Sequence, residues 1–176
     1  MKAYRICVLL ASLTVCITLA SAQTPATIIL VRHAEKSAPR GDVSLSEIGQ
    51  ARAMSLVHAL SDLNIRSIFM TELKRTKETA KPSAERFHVE PQVIAANDID
   101  GLVAKLRSTP IDGVTLVVGH SNTVPTIIEK LGAGPVKPIE DSEYDHLYIV
   151  TLEGGKARLL ALRYGDTLDI RSKSPQ

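Results

Sequence analysis

Apolar runs and polar breaks alternate along the chain at short intervals. Thr27 to Val31 (TIILV) is a compact β-branched run, the pattern of a strand buried on both faces. A polar loop follows from Lys36 to Val43, with Pro39 and Gly41. Ser44-Leu45-Ser46-Glu47 has the form of a capping box, with Ser44 as the cap and Glu47 reaching back. Ile48, Ala51, Met54 or Ser55, and Leu56 to Leu60 then give a helix one apolar stripe. Ser67 to Met70 reads as a second strand, and Leu73 to Phe87 as a helix broken or kinked at Pro82. Val93 to Ala95 forms a third short strand, after which Asp98 or Asp100 starts a helix reaching Arg107.

The second half repeats the alternation. Thr115 to Val118 is another buried strand, and Thr123 to Leu131 a helix that tolerates Pro125 in its first turn. Gly132 to Pro138 is a loop. Leu147 to Leu152 and Ala157 to Arg163 flank Glu153-Gly154-Gly155-Lys156 as a hairpin at one sheet edge, and Arg171 to Gln176 read as frayed. Strands alternating with helices predict one α/β domain: a three-layer sandwich with a mostly parallel central sheet and helices on both faces.

The N-terminus stands outside this pattern. Lys2 and Arg5 precede an apolar run from Ile6 to Leu19, which ends in Ala20-Ser21-Ala22. That is the form of a signal peptide over residues 1–22, and the run falls short of the roughly 20 apolar residues of a bilayer span. The expected mature domain is 23–176, exported to the periplasm or secreted, with no stable membrane anchor after cleavage. Cys7 and Cys16 both lie in the leader, so the domain has no disulfide and no thiol chemistry. Without Lys2 and Arg5 the basic residues fall from 21 to equal the 19 acidic ones. That balance argues against a nucleic-acid partner. The absence of Trp argues against aromatic stacking platforms.

Candidate chemistry gathers where strands end. In open α/β sheets ligands sit beyond the carboxyl ends of the strands. Arg32-His33 follows the first strand, Arg75 lies just after the second, and His120 ends the run "VVGH" at a strand-to-helix turn. His58, His88 and His146 read as structural; in the "EYDHLYIV" segment Glu143, Tyr144 and Asp145 either line the mouth of the site or, as the preferred reading, fit core-edge packing. His33, His120 and His146 have no short metal-binding spacing, so no metal and no cofactor are expected.

These segments resemble the histidine phosphatase superfamily, also called phosphoglycerate-mutase-like. Its Arg-His-Gly motif is matched by Arg32-His33-Ala34. Its Leu-Ser/Thr-x-x-Gly-x-x-x-Ala helix is matched by Leu45-Ser46-Glu47-Ile48-Gly49-Gln50-Ala51-Arg52-Ala53. Its second arginine motif is matched by Thr71 to Ala80, with Arg75 as the arginine, and its Val-x-Gly-His-Ser by Val117 to Ser121. The resemblance implies a phosphoric monoester hydrolase of the histidine acid phosphatase kind. His33 would form a covalent phosphohistidine, with Arg32, Arg75 and His120 holding the phosphoryl oxygens. Many relatives also use a carboxylate as proton donor. Asp98 is the favoured candidate here, with Asp100 and Glu90 nearby, although Asp98 is also a natural helix cap. Another branch carries an acid at the position of Asn122. Lys36, Ser37 and Asn122 are further candidates to touch substrate. The expected partner is a small phosphorylated substrate or a phosphoprotein. The alternatives are a phosphoglycerate-mutase-like phosphotransferase and a non-catalytic phosphate-binding protein.

Overall fold

The computed structural model describes residues 25–108 and 113–165. The expected leader over residues 1–22 and the stretch 171–176 therefore lie outside the described residues. In chain order the elements are β1 (Ala26–Arg32), α1 (Glu47–Ala59), β2 (Ile65–Met70), α2 (Lys74–Phe87), β3 (Gln92–Val93), α3 (Ile99–Ser108), β4 (Val114–Gly119), α4 (Thr123–Lys130), β5 (His146–Glu153) and β6 (Lys156–Arg163). They form one sheet in the order β3-β2-β4-β1-β5-β6. From β3 to β1 the neighbours run parallel, and β5 and β6 close the other side antiparallel.

The central strands alternate which helical layer they feed. Ile28 and Leu30 pack with Leu106 of α3 and Ile127 and Ile128 of α4. Ile29 and Val31 point the other way, into a core with Leu56 of α1 and Ala80 of α2. A strand with apolar residues at every position can do this only when both faces are covered. The three-layer sandwich is thus built into β1 and β4.

Register then delivers the polar ends. Arg32 of β1 pairs with Gly119 of β4, while Val118 pairs with both Val31 and Met70. Arg32, Gly119 and Thr71 therefore leave the sheet at one level. The next residues, His33 and His120, emerge side by side, with His33 N–H donating to the Gly119 carbonyl at 2.9 Å.

Three local expectations are corrected. The α1 cap is Ser46, not Ser44: Ser46 Oγ accepts from Gly49 N at 3.1 Å. Ser44 is held extended instead, because Lys36 and Leu45 form a bridge and Ser37 N–H donates to the Ser44 carbonyl. The buried stripe of α1 is Gly49, Ala53 and Leu56, continued by Leu60, whereas Ile48 and Met54 are 49% and 59% exposed. Helix α2 runs unbroken through Pro82 for another turn and ends at His88, which takes the left-handed conformation at φ 55°.

Two glycines of the motifs mark close approaches. A Cβ on Gly49 would sit 2.2 Å from the Glu35 carbonyl oxygen, so α1 packs directly on the backbone that follows His33. A Cβ on Gly119 would meet the Thr123 hydroxyl at 2.9 Å, and that hydroxyl accepts from His120 N–H.

Candidate active site

The strand ends and the α2 and α4 N-termini surround a cleft of about 300 Å³. Its lining includes Arg32, His33, Lys36, Arg75, His120 and Asn122, with Asp141 from the loop before β5. The sequence candidates thus converge, apart from Ser37 and Asp98. Ser37 is exposed and absent from the cleft lining, and its N–H donates to the Ser44 carbonyl. Asp98 is exposed and accepts from Gly101 N at 3.0 Å, the geometry of a cap on α3. Asp100 pairs with Lys130 at 2.7 Å. Lys36 donates to the Pro39 carbonyl at 2.8 Å.

His33 is buried and oriented by its own chain. Its Nδ1 lies 2.8 Å from the Ala34 carbonyl oxygen. A carbonyl can only accept, so neutral His33 carries its proton on Nδ1 and keeps the Nε2 lone pair. Ala34 is held in turn by Thr79, whose hydroxyl accepts from Ala34 N at 2.9 Å and donates to the Arg75 carbonyl at 2.7 Å. Ala34 is fully buried, so only a small residue fits behind the histidine.

The rings of His33 and His120 lie edge to face with centroids 5.4 Å apart. Thr71 Oγ1 is 3.1 Å from His120 Nε2. When that hydroxyl donates, the His120 proton sits on Nδ1, a buried atom with no partner among the described residues. Arg32 Nε and Arg75 Nε are likewise buried and unpartnered. Buried donors are normally satisfied, so this trio suits an anion.

Burial pushes His33 down to about 3, aided by His120, Arg32 and Arg75 and opposed by the Ala34 carbonyl. Burial first, then Arg75 and Arg32, lower His120 to about 4 against the opposing charge of Glu72. Both imidazoles are therefore neutral at pH 7. Burial also lowers Arg32, with Tyr144, Asp141 and Glu35 opposing. Like-charge repulsion from the arginines acts in the expected direction, but burial dominates.

Sequence reasoning missed the frame around Arg32. Its Nη1 donates to the carbonyls of Glu140, Asp141 and Glu143 at 2.7, 3.2 and 3.0 Å. Tyr144 lies under the guanidinium at 4.1 Å and 6.0 Å from the His33 ring, so this residue borders the site rather than packing a core edge. His146 stacks on Tyr148, with its Nε2 3.3 Å from Glu143 Oε2, away from the cleft lining.

A family model described as histidine phosphatase superfamily (branch 1) matches residues 28–98. No curated protein sequence matches significantly. Solved structures with the same fold include the protein histidine phosphatase SixA complexed with tungstate. It is 15% identical, with a TM-score of 0.64, over 78% of this chain and 96% of that one. A mycobacterial glucosyl-3-phosphoglycerate phosphatase in complex with VO3 is 16% identical, with a TM-score of 0.62, over 81% and 100%. A structure described as mycobacterial hydrolase 1 is 12% identical, with a TM-score of 0.60, over 78% and 97%. The histidine phosphatase model thus matches β1 to the residue before α3, and the fold is shared with solved phosphatases.

Proposed function

We propose that the protein hydrolyses phosphomonoesters through a phosphohistidine on His33. One observation carries the reading: two buried arginine donors, Arg32 Nε and Arg75 Nε, and the buried Nδ1 of His120, all without partners among the described residues, belong to the cleft that holds the neutral His33. A phosphomonoester dianion would take those donors. His33 Nε2 attacks phosphorus, the bond to the leaving oxygen breaks, and water then cleaves the P–N bond to release phosphate. Charge spreads over the equatorial oxygens as this happens, where the arginine forks act most strongly. An arriving dianion also raises the His120 pKa, so the imidazole can add a positive charge at that moment.

The substrate we propose is a small phosphorylated molecule or a phosphoprotein. The neighbours support this choice by name, one being a protein histidine phosphatase and another a glucosyl-3-phosphoglycerate phosphatase. Purified protein is expected to hydrolyse p-nitrophenyl phosphate equally with and without chelator. No hydrolysis, or hydrolysis abolished by chelator, would contradict the proposal.

Asp98 as proton donor is testable by leaving group. A donor is needed for an alkoxide and dispensable for p-nitrophenolate. The cap geometry leads us to expect that Asp98→Asn slows alkyl and aryl phosphates alike and costs about 1 kcal/mol of stability or less. A selective loss of alkyl phosphate turnover, by orders of magnitude, would restore Asp98 to the mechanism.

We also propose that the protein is exported, on the strength of the leader pattern. Intact mass of the exported fraction is expected to give a chain starting at Gln23. Met1 retained there would sink this assignment.

A further inference from the structure

The loop that frames Arg32 is shaped by a side chain outside the cleft lining. Glu143 N–H donates to the Glu140 carbonyl at 2.9 Å, and Glu140 N–H donates back to Glu143 Oε2 at 3.0 Å. This reciprocal clasp folds residues 140–143 into a bowl. The Glu140, Asp141 and Glu143 carbonyls of that bowl all take Arg32 Nη1. The Glu140 carbonyl thus serves both the clasp and the guanidinium.

The same carboxylate is moored to the sheet. Arg163 Nη2 donates to Glu143 Oε1 at 3.1 Å, and His146 Nε2 lies 3.3 Å from Oε2. His146 and Arg163 are direct cross-strand partners in the β5–β6 hairpin. One carboxylate therefore joins the edge hairpin to the loop that grips Arg32. Its acidity fits that role: the Glu140 N–H, then Arg163, hold Glu143 down at about 2.

We propose that Glu143 is a positioning residue for the phosphate clamp, its carboxylate clasping the 140–143 loop so that the loop carbonyls aim Arg32 into the cleft. Arg32 has a long side chain with much rotamer freedom, and a fork clamp works only when that freedom is already removed. The loop carbonyls occupy Nη1 and leave Nε, the buried unpartnered atom, for an anion. Losing the clasp would release the bowl, and phosphate affinity would fall although no residue touching phosphate had changed.

The proposal rests on the phosphate-handling reading, so its test measures binding rather than turnover. Inorganic phosphate is titrated calorimetrically into wild type, Glu143→Ala and Glu143→Gln, well below each variant's melting temperature. Glutamine keeps an oxygen for Glu140 N–H but loses the charge facing Arg163. The expected result is a Kd raised roughly tenfold or more in Glu143→Ala, with Glu143→Gln close to wild type. KM should rise in parallel with Kd. Should Glu143→Ala fail to fold, Glu143→Asp, one methylene short of Glu140 N–H, takes its place with the same expectation. Wild-type affinity in the Ala or Asp variant would overturn the proposal, as would equal losses in the Ala and Gln variants. No phosphate binding by the wild type would instead overturn the underlying reading of the cleft.

Discussion

Replacing His33 with alanine is expected to remove essentially all phosphatase turnover. Removing a covalent nucleophile costs on the order of 10⁶ in kcat where no other group can substitute. His120, the nearest imidazole, is engaged by Thr71 at Nε2 and has no carbonyl that fixes its tautomer as Ala34 fixes that of His33. His33 is only 4% exposed, so the substitution also leaves a cavity. Thermal melting of the variant separates the two effects. A folded His33→Ala protein with appreciable p-nitrophenyl phosphatase activity would remove His33 from the nucleophile's place.

Arg75→Ala is expected to lower kcat/KM by about 10²–10³, the range for removing one preorganised donor from a developing anion. KM and kcat should both worsen, because in the proposed mechanism the guanidinium would meet the oxygens before and during transfer. A second signature follows from electrostatics. Arg75 depresses both His33 and His120, so its removal raises both folded-state values. Protonated imidazole has no lone pair for attack, so the acid limb of the pH–rate profile should move to higher pH. Arg75→Lys should return the charge and the acid limb without the fork, and so recover only part of kcat/KM. An Arg75→Ala profile that falls in rate with an unmoved acid limb would show that the arginine lies too far from the histidines to influence them.

Much of this arrangement was legible because it depends on short-range patterning. Apolar runs bounded by polar residues mark β1 and β4, and a parallel register brings whatever follows them together. Arg32-His33 and Gly119-His120 therefore meet as the strand ends imply. The helix details were less legible. Ser44 and Ser46 offer the same hydroxyl, and only the Lys36–Leu45 bridge, a tertiary pairing, decides which one caps. Ile48 and Met54 look like a buried stripe, yet Gly49 is the residue that faces inward because α1 must touch the Glu35 backbone.

The frame of Arg32 left even less trace. Its carbonyl partners lie 108 to 111 residues away, and backbone oxygens carry no sequence signal. Thr71 and Thr79 did carry one, inside the segment that resembles the second arginine motif, whereas Thr76 stands where that motif has alanine. The hydroxyls of Thr71, Thr76 and Thr79 bond His120, the Leu73 carbonyl and Ala34, which accounts for threonine at each position.

The central claim is that phosphate passes through His33. The most direct measurement mixes wild-type protein with excess p-nitrophenyl phosphate and quenches it under alkaline denaturing conditions that preserve phosphohistidine. Peptide mass spectrometry then locates the phosphoryl group. The mechanism predicts one added phosphoryl group on the peptide containing His33, formed with the burst of nitrophenol and absent from His33→Ala. A phosphoryl group on His120, or steady turnover with no phosphorylated peptide at any time, would contradict it.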